Sequence, residues 1–372
     1  MSNLAAPRMT LVPPAFIGSE IYRLEVFAPP HPLAMPRAML VRDLCAALGW
    51  LAERQYFEAA MATDAELCAF HDADYIAALH RAEHDSALPP AVAARTRIGL
   101  DGNVIHKAVF RRPAISVGGA LLAAGMLAGG VPVYAPGVGN HHGRRAQASG
   151  FCFVNDIALA IIRLRALGIK RIAYVDLDAH HGDGVETAFA DDPDVLTLSV
   201  HESGRWPRSG GQSDPARAIY NFPVPPGFND SEMNFLLAHA ISPLVRNFQP
   251  EALLILPGAD ALADDSMSRL MLSNNAIWDA VRLLRSLAPR VAVFGGGGYN
   301  PFALARCWAG IFGILNGFPL PDTLPYAAQA LLRDLVYHRH GNRALPGHWV
   351  QTLRDPPNPG GLRDEVLAME VS

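Results

Sequence analysis

The sequence predicts an α/β fold in which a central, mainly parallel β-sheet is covered by helices on both faces. Four apolar, β-compatible segments between residues 172 and 294 alternate with helical patterns, as in chains that form parallel sheets. The first of them, residues 172–175, is apolar throughout, which is typical of a strand buried on both faces. Because no linker or internal repeat divides the chain, we expect a single domain over residues 1–372.

The first half of the chain predicts two strands among several helices. Apolar residues at helical spacing indicate the helices, and turn residues separate them. In chain order the predicted elements are a strand in residues 11–18, helices at 38–48, 64–70 and 75–83, a surface loop at 88–112 that borders a pocket, a helix at 114–127, a strand in 131–137 and a helix at 154–167.

In the second half, predicted strands and helices alternate. The predicted elements are a strand at 172–175, a short helix at 185–191, a strand at 194–200, a loop rich in Gly, Arg and Pro at 201–214, a helix at 231–248, a strand at 252–256, a helix at 274–287, a strand at 291–294 and a helix at 301–311. The tail beyond residue 319 has broken periodicity, and we expect it to wrap around the domain.

Composition and charge exclude several classes of protein. Half of the residues are hydrophobic and 18% are charged, which is typical of a compact chain and not of a disordered one. A net charge of -4 gives no global basic field, so we expect neither a nucleic-acid partner nor a membrane partner. The four cysteines lack CxxC spacing, which argues against a disulfide framework or a cysteine zinc site. The stretch MSNLAAPRMTLVPP has no apolar signal region, so we expect a cytoplasmic protein.

One uncharged segment, residues 113–140, has to be compared with a membrane span. A spanning helix needs about 20 consecutive, mainly apolar residues. Several glycines and a proline interrupt this segment. A buried helix followed by a turn and a strand explains the pattern better.

Polar side chains follow several predicted strands at the points where the strands end. Asp178 lies just beyond the strand at 172–175, His180 lies in the next turn, and Asp260 follows the strand at 252–256. Ligands bind at this edge of parallel sheets, although an aspartate there can also be only a helix cap. Two carboxylates and one imidazole leave a position open for water, as catalytic metal sites require, and they suit zinc or ferrous iron.

Two further motifs supply candidate catalytic groups. His141 and His142 can handle protons if both face the metal, and Asp176 and Asp183 are available to orient their second ring nitrogens, although both aspartates also suit turns and caps. Tyr299 follows four glycines, which predict a flexible loop that can swing this side chain beside a pocket. A phosphate-binding loop is the competing interpretation, but FGGGGYNPF lacks the GxGxxG spacing.

Six segments, in order along nearly the whole chain, resemble the zinc-dependent histone deacetylases of class I and of the bacterial acetoin-utilisation type. The segments are HPLAMPR, HDADYI, NHHGRRAQASGFCFVND, YVDLDAHHGDGVETAF, GADALADD and GGGGYNPFALARCW. This resemblance implies the three-layer arginase/deacetylase fold, a central sheet between two layers of helices. It also implies that Asp178, His180 and Asp260 hold the metal, and that Tyr299 donates a hydrogen bond to the substrate carbonyl and then to the oxyanion.

The resemblance further implies how acyl amides would be hydrolysed. His142, paired with Asp183, would be the general base and acid, taking a proton from metal-activated water and giving one to the leaving amine. His141, paired with Asp176, would act mainly electrostatically. Gly150 and Phe151 match the acyl-lysine tunnel, and Arg37 matches the arginine of an internal acetate channel, whereas residue chemistry alone would make Arg37 a surface cation.

A structural potassium ion behind the active metal is also implied. The first matching group is Asp176, Asp178, His180, Ser199 and Val200, and the second is Phe189, Asp192 and Val195. Such a cation would steady the Asp176 carboxylate and lower the basicity of His141.

The chain departs from the family pattern at three positions. Trp206 replaces the second tunnel phenylalanine, which could alter acyl selectivity. Asp101 is the candidate for the rim aspartate that grips the substrate backbone, but its spacing is inexact. Asp264 stands where the family usually has glycine.

Several functions remain open at this point. The substrate could be an acyl-lysine protein, or a small acylated amine such as an acetylpolyamine. A ureohydrolase of the same fold would need a second metal, but Gly182 stands where the third carboxylate of that site would be. A degenerate acyl-lysine reader that binds without hydrolysis is the non-enzyme alternative. The sequence does not indicate an oligomeric state.

Overall fold

A wholly parallel sheet of eight strands forms the centre of the protein. The computed structural model describes residues 12–24, 27–29, 31–341 and 343–370. The expectation about the amino-terminal segment rests mostly on residues 1–11, which lie outside the described residues, as does the start of the first predicted strand. In chain order the strands are β1 (Ala15–Gly18), β2 (Tyr56–Glu58), β3 (Val133–Ala135), β4 (Ile172–Asp176), β5 (Val195–Glu202), β6 (Ile219–Val224), β7 (Ala252–Leu256) and β8 (Val291–Phe294).

The order of the strands brings distant parts of the chain together. The sheet runs β2-β1-β3-β8-β7-β4-β5-β6, with every pair parallel. All residues of the four middle strands, β3, β8, β7 and β4, are buried, which explains why these strands are nearly free of polar side chains. Because the strands are parallel, all their carboxyl ends lie at one edge of the sheet.

Helices follow the strands along the chain. They are α1 (Arg37–Ala47), α2 (Asp64–Leu67), α3 (Ala73–Asp85), α4 (Pro90–Thr96), α5 (Arg111–Ala128), α6 (Asp156–Ala166), α7 (Asp183–Phe189), α8 (Asp230–Leu236), α9 (Ser242–Phe248), α10 (Asn274–Leu284), α11 (Pro301–Asn316), α12 (Tyr326–Arg333), α13 (Gly347–Gln351) and α14 (Asp364–Leu367). A π-helical turn at Leu237–Ile241 joins α8 to α9.

Two separate hydrophobic cores lie on the two faces of the sheet. Successive strand residues point to opposite faces, so Ala173 and Val175 of β4 belong to one core, and Ile172 and Tyr174 belong to the other. Helices α1 and α8–α11 pack in the first core, and α3, α5 and α6 pack in the second. This arrangement confirms the predicted fold class, a parallel sheet between two helical layers.

Strands β2 and β6 and helix α4 were absent from the sequence prediction, and each has a local cause. Strand β2 has only three residues, two of them exposed, so it carries little pattern. Strand β6 lies at the sheet edge and contains Pro223, which an edge strand tolerates but which breaks a strand pattern. Helix α4 begins at Pro90, inside the stretch predicted as a loop, because proline is favoured in the first turn of a helix.

The long uncharged segment forms a packed helix, a turn and a strand, as predicted. Helix α5 contains its first part, and β3 contains its last. A Cβ atom on Gly118 would lie 1.7 Å from the carbonyl oxygen of Ala60, so only glycine allows this close approach of the helix to the chain. Within the described residues, no helix is long and apolar enough to cross a membrane.

The tail packs against the rest of the protein, as expected. Leu332 of α12, Trp349 of α13 and Val366 of α14 are buried in the first core. Arg363 donates hydrogen bonds to both oxygens of Glu232 at 2.6 Å, and the side chain of Glu232 is fully buried. The tail therefore contributes apolar surface and an ion pair to the fold.

Candidate active site

The carboxyl ends of four neighbouring strands bring the polar motifs of the sequence together. Strand β3 precedes His141 and His142, β4 precedes Asp178, His180 and Asp183, β7 precedes Asp260, and β8 precedes Tyr299. These strands are neighbours in the sheet, although the chain leaves β3 at residue 135 and enters β8 only at residue 291. Parallel topology thus explains why motifs that are scattered in the sequence meet at one edge.

Asp178, His180 and Asp260 converge on one point. Each offers one ligand atom, these atoms all lie within 4.8 Å of one another, and the three residues are buried. His180 Nδ1 lies 3.1 Å from Asp178 Oδ1 and 2.9 Å from Asp260 Oδ2. Backbone amides hold both carboxylates in place, because the His180 N–H donates to Asp178 Oδ1 at 2.9 Å and the Ala179 N–H donates to Asp260 Oδ1 at 3.0 Å.

The electrostatics of these three residues favour a cation between them. Burial raises the pKa of Asp260, and the charge of Asp178 adds to the effect, so that the pKa reaches about 7. Burial lowers the pKa of His180, but hydrogen bonds to Asp178 and Asp260 outweigh burial and raise the pKa to about 10. A divalent cation would neutralise the same carboxylates, so this donor set fits a metal ion.

A first histidine–aspartate pair lies beside the candidate ligands. His141 Nδ1 donates to Asp176 Oδ2 at 2.8 Å, and the hydroxyl of Tyr174 donates to the same oxygen at 2.7 Å. Burial lowers the pKa of His141, but the charges of Asp176 and Asp178 outweigh burial and raise the pKa to about 9. These two carboxylates therefore favour the cationic form of His141.

The second pair differs in charge from the first. His142 Nδ1 donates to Asp183 Oδ1 at 2.7 Å, and Arg144 donates to the other oxygen of Asp183. Burial lowers the pKa of His142, and the positive charge of His141, whose ring lies 3.9 Å away, lowers it further, to about 3. His142 is therefore neutral, with a proton on Nδ1 and a free lone pair on Nε2.

The glycine loop before Tyr299 is held in place by carboxylates. The Gly297 N–H donates to Asp178 Oδ2, and a Cβ atom at Gly297 would lie 2.1 Å from Asp260 Oδ2. The N–H of Tyr299 donates to Asp265 Oδ2 at 2.6 Å, and the Tyr299 side chain is buried. This loop is thus fixed, whereas the glycines alone predicted a flexible one. The Gly297 amide is bonded to a carboxylate, which also disfavours the phosphate-binding interpretation.

His142, His180 and Tyr299 line one cleft of about 490 Å³. Gly150, Phe151 and Trp206 form further parts of its wall. The ring of Trp206 packs 4.7 Å from that of His142, and a Cβ atom at Gly150, which has φ +55°, would lie 2.5 Å from atoms of both rings. Only glycine therefore fits between these two rings.

Asp101 lies at the rim of the same cleft. It has φ +51°, and its carboxylate forms an ion pair with Arg97. Its side chain is 59% exposed, so the group is accessible from solvent while it pairs with Arg97.

Arg37 lies behind the glycine loop, so its interpretation as a surface cation is wrong. Its Nη1 donates to the Gly296 carbonyl oxygen at 2.7 Å, and its guanidinium lies 5.8 Å from the centre of the Trp308 ring. It lines a cavity of about 90 Å³, together with Tyr22 and Arg112. A cationic cavity behind the site is compatible with the expected channel.

The two groups expected to bind potassium lie at different places. Pairing of β4 with β5 places Asp176 opposite Ser199, and thus brings Asp178, His180 and Val200 close to them. The second group lies between α7 and β5, where the Asp192 N–H donates to the Phe189 carbonyl at 2.9 Å and the Val195 N–H donates to the Asp192 carbonyl at 3.0 Å. The Asp192 carboxylate pairs with Arg165 at 2.9 Å, which leaves backbone carbonyls as the ligands to consider there.

Asp264, His348 and Asp355 form a second cluster of potential ligands, but a buried arginine supplies its positive charge. Arg306 is fully buried, with Nη1 2.6 Å from Asp355 Oδ1 and Nη2 3.9 Å from Asp264 Oδ2. Asp264 Oδ2 also accepts hydrogen bonds from His348 Nε2 at 3.0 Å and from Trp349 Nε1 at 2.6 Å. This cluster is therefore an ion-pair network that fastens the tail, and it gives a structural reason for aspartate at position 264.

Sequence reasoning missed two residues that support the histidine–aspartate pairs. Tyr174 was assigned only to the core of a strand, although it lies two residues before Asp176 and therefore on the same face of β4. Arg144 lies in the motif that contains His142, but its contact with Asp183 spans 39 residues of sequence. The residues that share a face of β4 with Asp176 include Tyr174, so the strand pattern could have indicated it. Nothing in the sequence indicated the contact of Arg144 with Asp183.

Comparisons with known proteins agree with this geometry. The sequence model of the histone deacetylase domain family matches residues 31–315 of this chain. The acetoin utilization protein AcuC of Bacillus subtilis is 33% identical over 326 residues, which cover 82% of this chain and 84% of that protein. Histone deacetylase 9 of Arabidopsis thaliana is 33% identical over 310 residues, which cover 80% of this chain and 72% of that protein. The crystal structure of an HDAC homolog from Aquifex aeolicus has a TM-score of 0.91 at 33% identity and covers 96% of this chain and 98% of that one. The chain therefore belongs to the histone deacetylase family of hydrolases.

Proposed function

We propose that the protein is a metal-dependent amidohydrolase, a single catalytic domain that removes acetyl or other acyl groups from lysine side chains or lysine-like amines. The observation that carries this proposal is the meeting of three buried metal-ligand candidates, a neutral histidine and a tyrosine in one cleft. The acyl amide is the substrate class that the family suggests. The residue roles below are part of the proposal.

Asp178, His180 and Asp260 would hold the metal, Zn²⁺ or Fe²⁺, because both ions accept carboxylate and imidazole ligands. When bound, such a metal supplies Lewis acidity toward a carbonyl group and makes water more acidic. A structural potassium ion at the groups around Ser199 and Val200, and at Phe189, Asp192 and Val195, belongs to the same proposal.

His142 would be the general base and then the general acid. Its Nδ1 proton is bound to Asp183, so Nε2 is free to take a proton from water as the water oxygen bonds to the carbonyl carbon. The same proton then passes to the amine nitrogen as the carbon–nitrogen bond breaks. His141, held by Asp176 at 2.8 Å, would act mainly electrostatically on the negative charge that develops nearby.

Tyr299 would donate its phenolic hydrogen bond to the carbonyl oxygen and, more strongly, to the oxyanion. Burial raises the pKa of Tyr299 well above its usual value, with Asp260 and Asp178 adding to the shift, so the phenol keeps its proton. Its backbone is fixed by Asp265, which reduces the reorganisation needed during the reaction.

The rival functions have less support. A second metal, as in a ureohydrolase, would need a carboxylate at position 182, and a Cβ atom on Gly182 would already lie 2.2 Å from Asp176 Oδ2. A binder without activity would not need the paired histidines and the buried tyrosine. An acetylpolyamine deacetylase of the same family remains the alternative within the proposed chemistry.

The test is hydrolysis by metal-loaded protein of acyl-lysine peptides and acetylpolyamines, with and without a chelator. Tyr299→Phe should lower kcat by at least about 100-fold, equivalent to about 3 kcal/mol of transition-state stabilisation, while metal content stays at the wild-type level. Asp178→Asn should lose metal and activity together. Near-normal turnover by Tyr299→Phe would refute the assigned role, and lack of acetate release from every substrate by metal-loaded protein would refute the proposed activity.

A further inference from the structure

The mouth of the active-site cleft carries an excess of positive charge. Arg205, Arg208 and Arg269 line the cleft together with the proposed catalytic residues. Two of them come from the loop after β5, and the third comes from the loop after β7. They share this cleft with the proposed catalytic groups His142 and Tyr299.

The acidic residues of the cleft do not balance these arginines. Glu202 has a fully buried side chain, and its two oxygens accept hydrogen bonds from both Arg205 and Arg269. Asp101 is paired with Arg97. The cleft wall thus has two carboxylates and three guanidinium groups, and one of the carboxylates is already paired with Arg97 outside the wall. Within the described part of the chain, the side chain of Arg208 has neither a hydrogen bond nor an ion pair.

The arginines differ in how much of the guanidinium is available. Arg205 uses Nε and Nη2 on Glu202 and donates through Nη1 to the Met267 carbonyl at 2.7 Å, so it is held in one position. Arg269 contacts Glu202 through Nε at 3.1 Å, and its side chain is 71% exposed. The remaining N–H groups of Arg269 and the whole guanidinium of Arg208 therefore face solvent at the cleft.

We infer that this cleft selects acylated amines that also carry a carboxylate group near the scissile amide. A guanidinium group matches a carboxylate with two parallel hydrogen bonds, and the surplus positive charge attracts anions and repels cations. This inference rests on the proposed function and deepens it, because it favours acidic acyl-lysine substrates and disfavours acetylpolyamines, which are cationic. The carboxylate can belong to an acidic residue beside the acyl-lysine or to the main-chain carboxylate of the acyl-lysine itself.

The first test compares matched substrates with metal-loaded wild-type protein. Three acetyl-lysine peptides differ only in Asp, Ala or Lys on both sides of the acetyl-lysine, and Nε-acetyl-lysine is compared with its α-amide to test the second source of carboxylate. We expect kcat/KM for the Asp peptide to exceed that for the Lys peptide by roughly tenfold or more at low salt, and the ratio to shrink at ~1 M salt. A preference for the free acid over the amide would identify the main-chain carboxylate as the source.

The second test changes the arginines. Arg208→Glu and Arg269→Gln should each lower the ratio of kcat/KM for the Asp peptide to that for the Lys peptide, to a value near or below one. In the second variant, the amide of glutamine can still donate a hydrogen bond to Glu202. Arg246→Glu is the matched control, because it makes the same change of charge at an exposed position of α9, which ends just before the amino-terminal end of β7 and so lies far from the cleft. It should leave the ratio at the wild-type value.

Binding gives a readout that is independent of turnover. Fluorescence anisotropy with labelled forms of the three peptides and the metal-loaded Tyr299→Phe variant should rank their Kd values in the order Asp, Ala, Lys. If the peptides are hydrolysed and kcat/KM is equal for all three, or highest for the Lys peptide, the inference is overturned. The proposed function then stays intact. If acetylpolyamines are hydrolysed and no peptide is, the inference fails and the proposed function stands. If neither class of substrate is hydrolysed, the proposed function fails, and equal Kd values would then overturn the inference separately.

Discussion

Replacing Arg306 by methionine should destabilise the protein strongly. Arg306 is fully buried, and its guanidinium lies 2.6 Å from Asp355 and 3.9 Å from Asp264. Methionine fills part of the same space but leaves both carboxylates without a cation. Removing one partner of a buried ion pair costs about 3 to 5 kcal/mol, because the other charge stays buried without compensation. We therefore expect the free energy of unfolding in urea at pH 7 to fall by that amount.

A second substitution identifies the cause. The double variant Arg306→Met/Asp355→Asn should recover part of the loss at pH 7. A loss below about 1 kcal/mol, or a loss that the second substitution does not reduce, would refute the reasoning.

Three further predictions concern the cleft, a buried histidine and the metal. Gly150→Ala should lower kcat/KM at least about tenfold, because its Cβ atom would lie 2.5 Å from the rings of both His142 and Trp206. Circular dichroism should show an intact fold, since the left-handed backbone conformation costs alanine only about 1 to 2 kcal/mol. Burial lowers the pKa of His71 to about 4, so its contribution to stability is complete above pH 6.5 and is lost as the pH falls toward 4. The free energy of unfolding in urea should then fall over this pH range by up to about 3 kcal/mol more for the wild-type protein than for His71→Gln. An equal pH dependence of the two proteins would contradict the assignment. Added Zn²⁺ at 100 times its Kd should stabilise chelator-treated wild-type protein by about 2.7 kcal/mol and leave the melting temperature of Asp178→Asn unchanged. An equal shift in both proteins would show that the ion binds elsewhere.

Much of the fold could be predicted because the central strands have a simple physical signature. A strand buried on both faces needs apolar side chains at every position, and the segment at 172–175 satisfies this rule. The edge strand β6 escaped prediction because solvent on one side permits residues such as Pro223, which remove the pattern. The signal is thus strongest in the middle of the sheet and weakest at its edges.

The candidate site could be predicted to a similar extent, and for a related reason. Parallel strands place their carboxyl ends together, so polar residues after each apolar run were expected to meet, as Asp178 and Asp260 do. No such rule predicts the contacts that depend on the paths of loops. Glu202 and Arg269, for example, are 67 residues apart, and only the folded chain shows that a buried carboxylate holds two arginines at the mouth of the cleft.

Because the tail beyond residue 319 packs against the rest of the protein, the family pattern and the folded unit end at different residues. The stretch that identifies the family ends at residue 315, and a chain cut there would keep every proposed catalytic residue. It would also lose Asp355 and Trp349, which removes the partner that lies 2.6 Å from Arg306, leaves Asp264 as its remaining partner at 3.9 Å, and exposes the apolar faces of α1 and α11. A fragment chosen by its family signature should therefore aggregate or degrade during expression, whereas one that extends to residue 370 should remain in solution. The segment that carries the family pattern is thus shorter than the segment that packs into the fold.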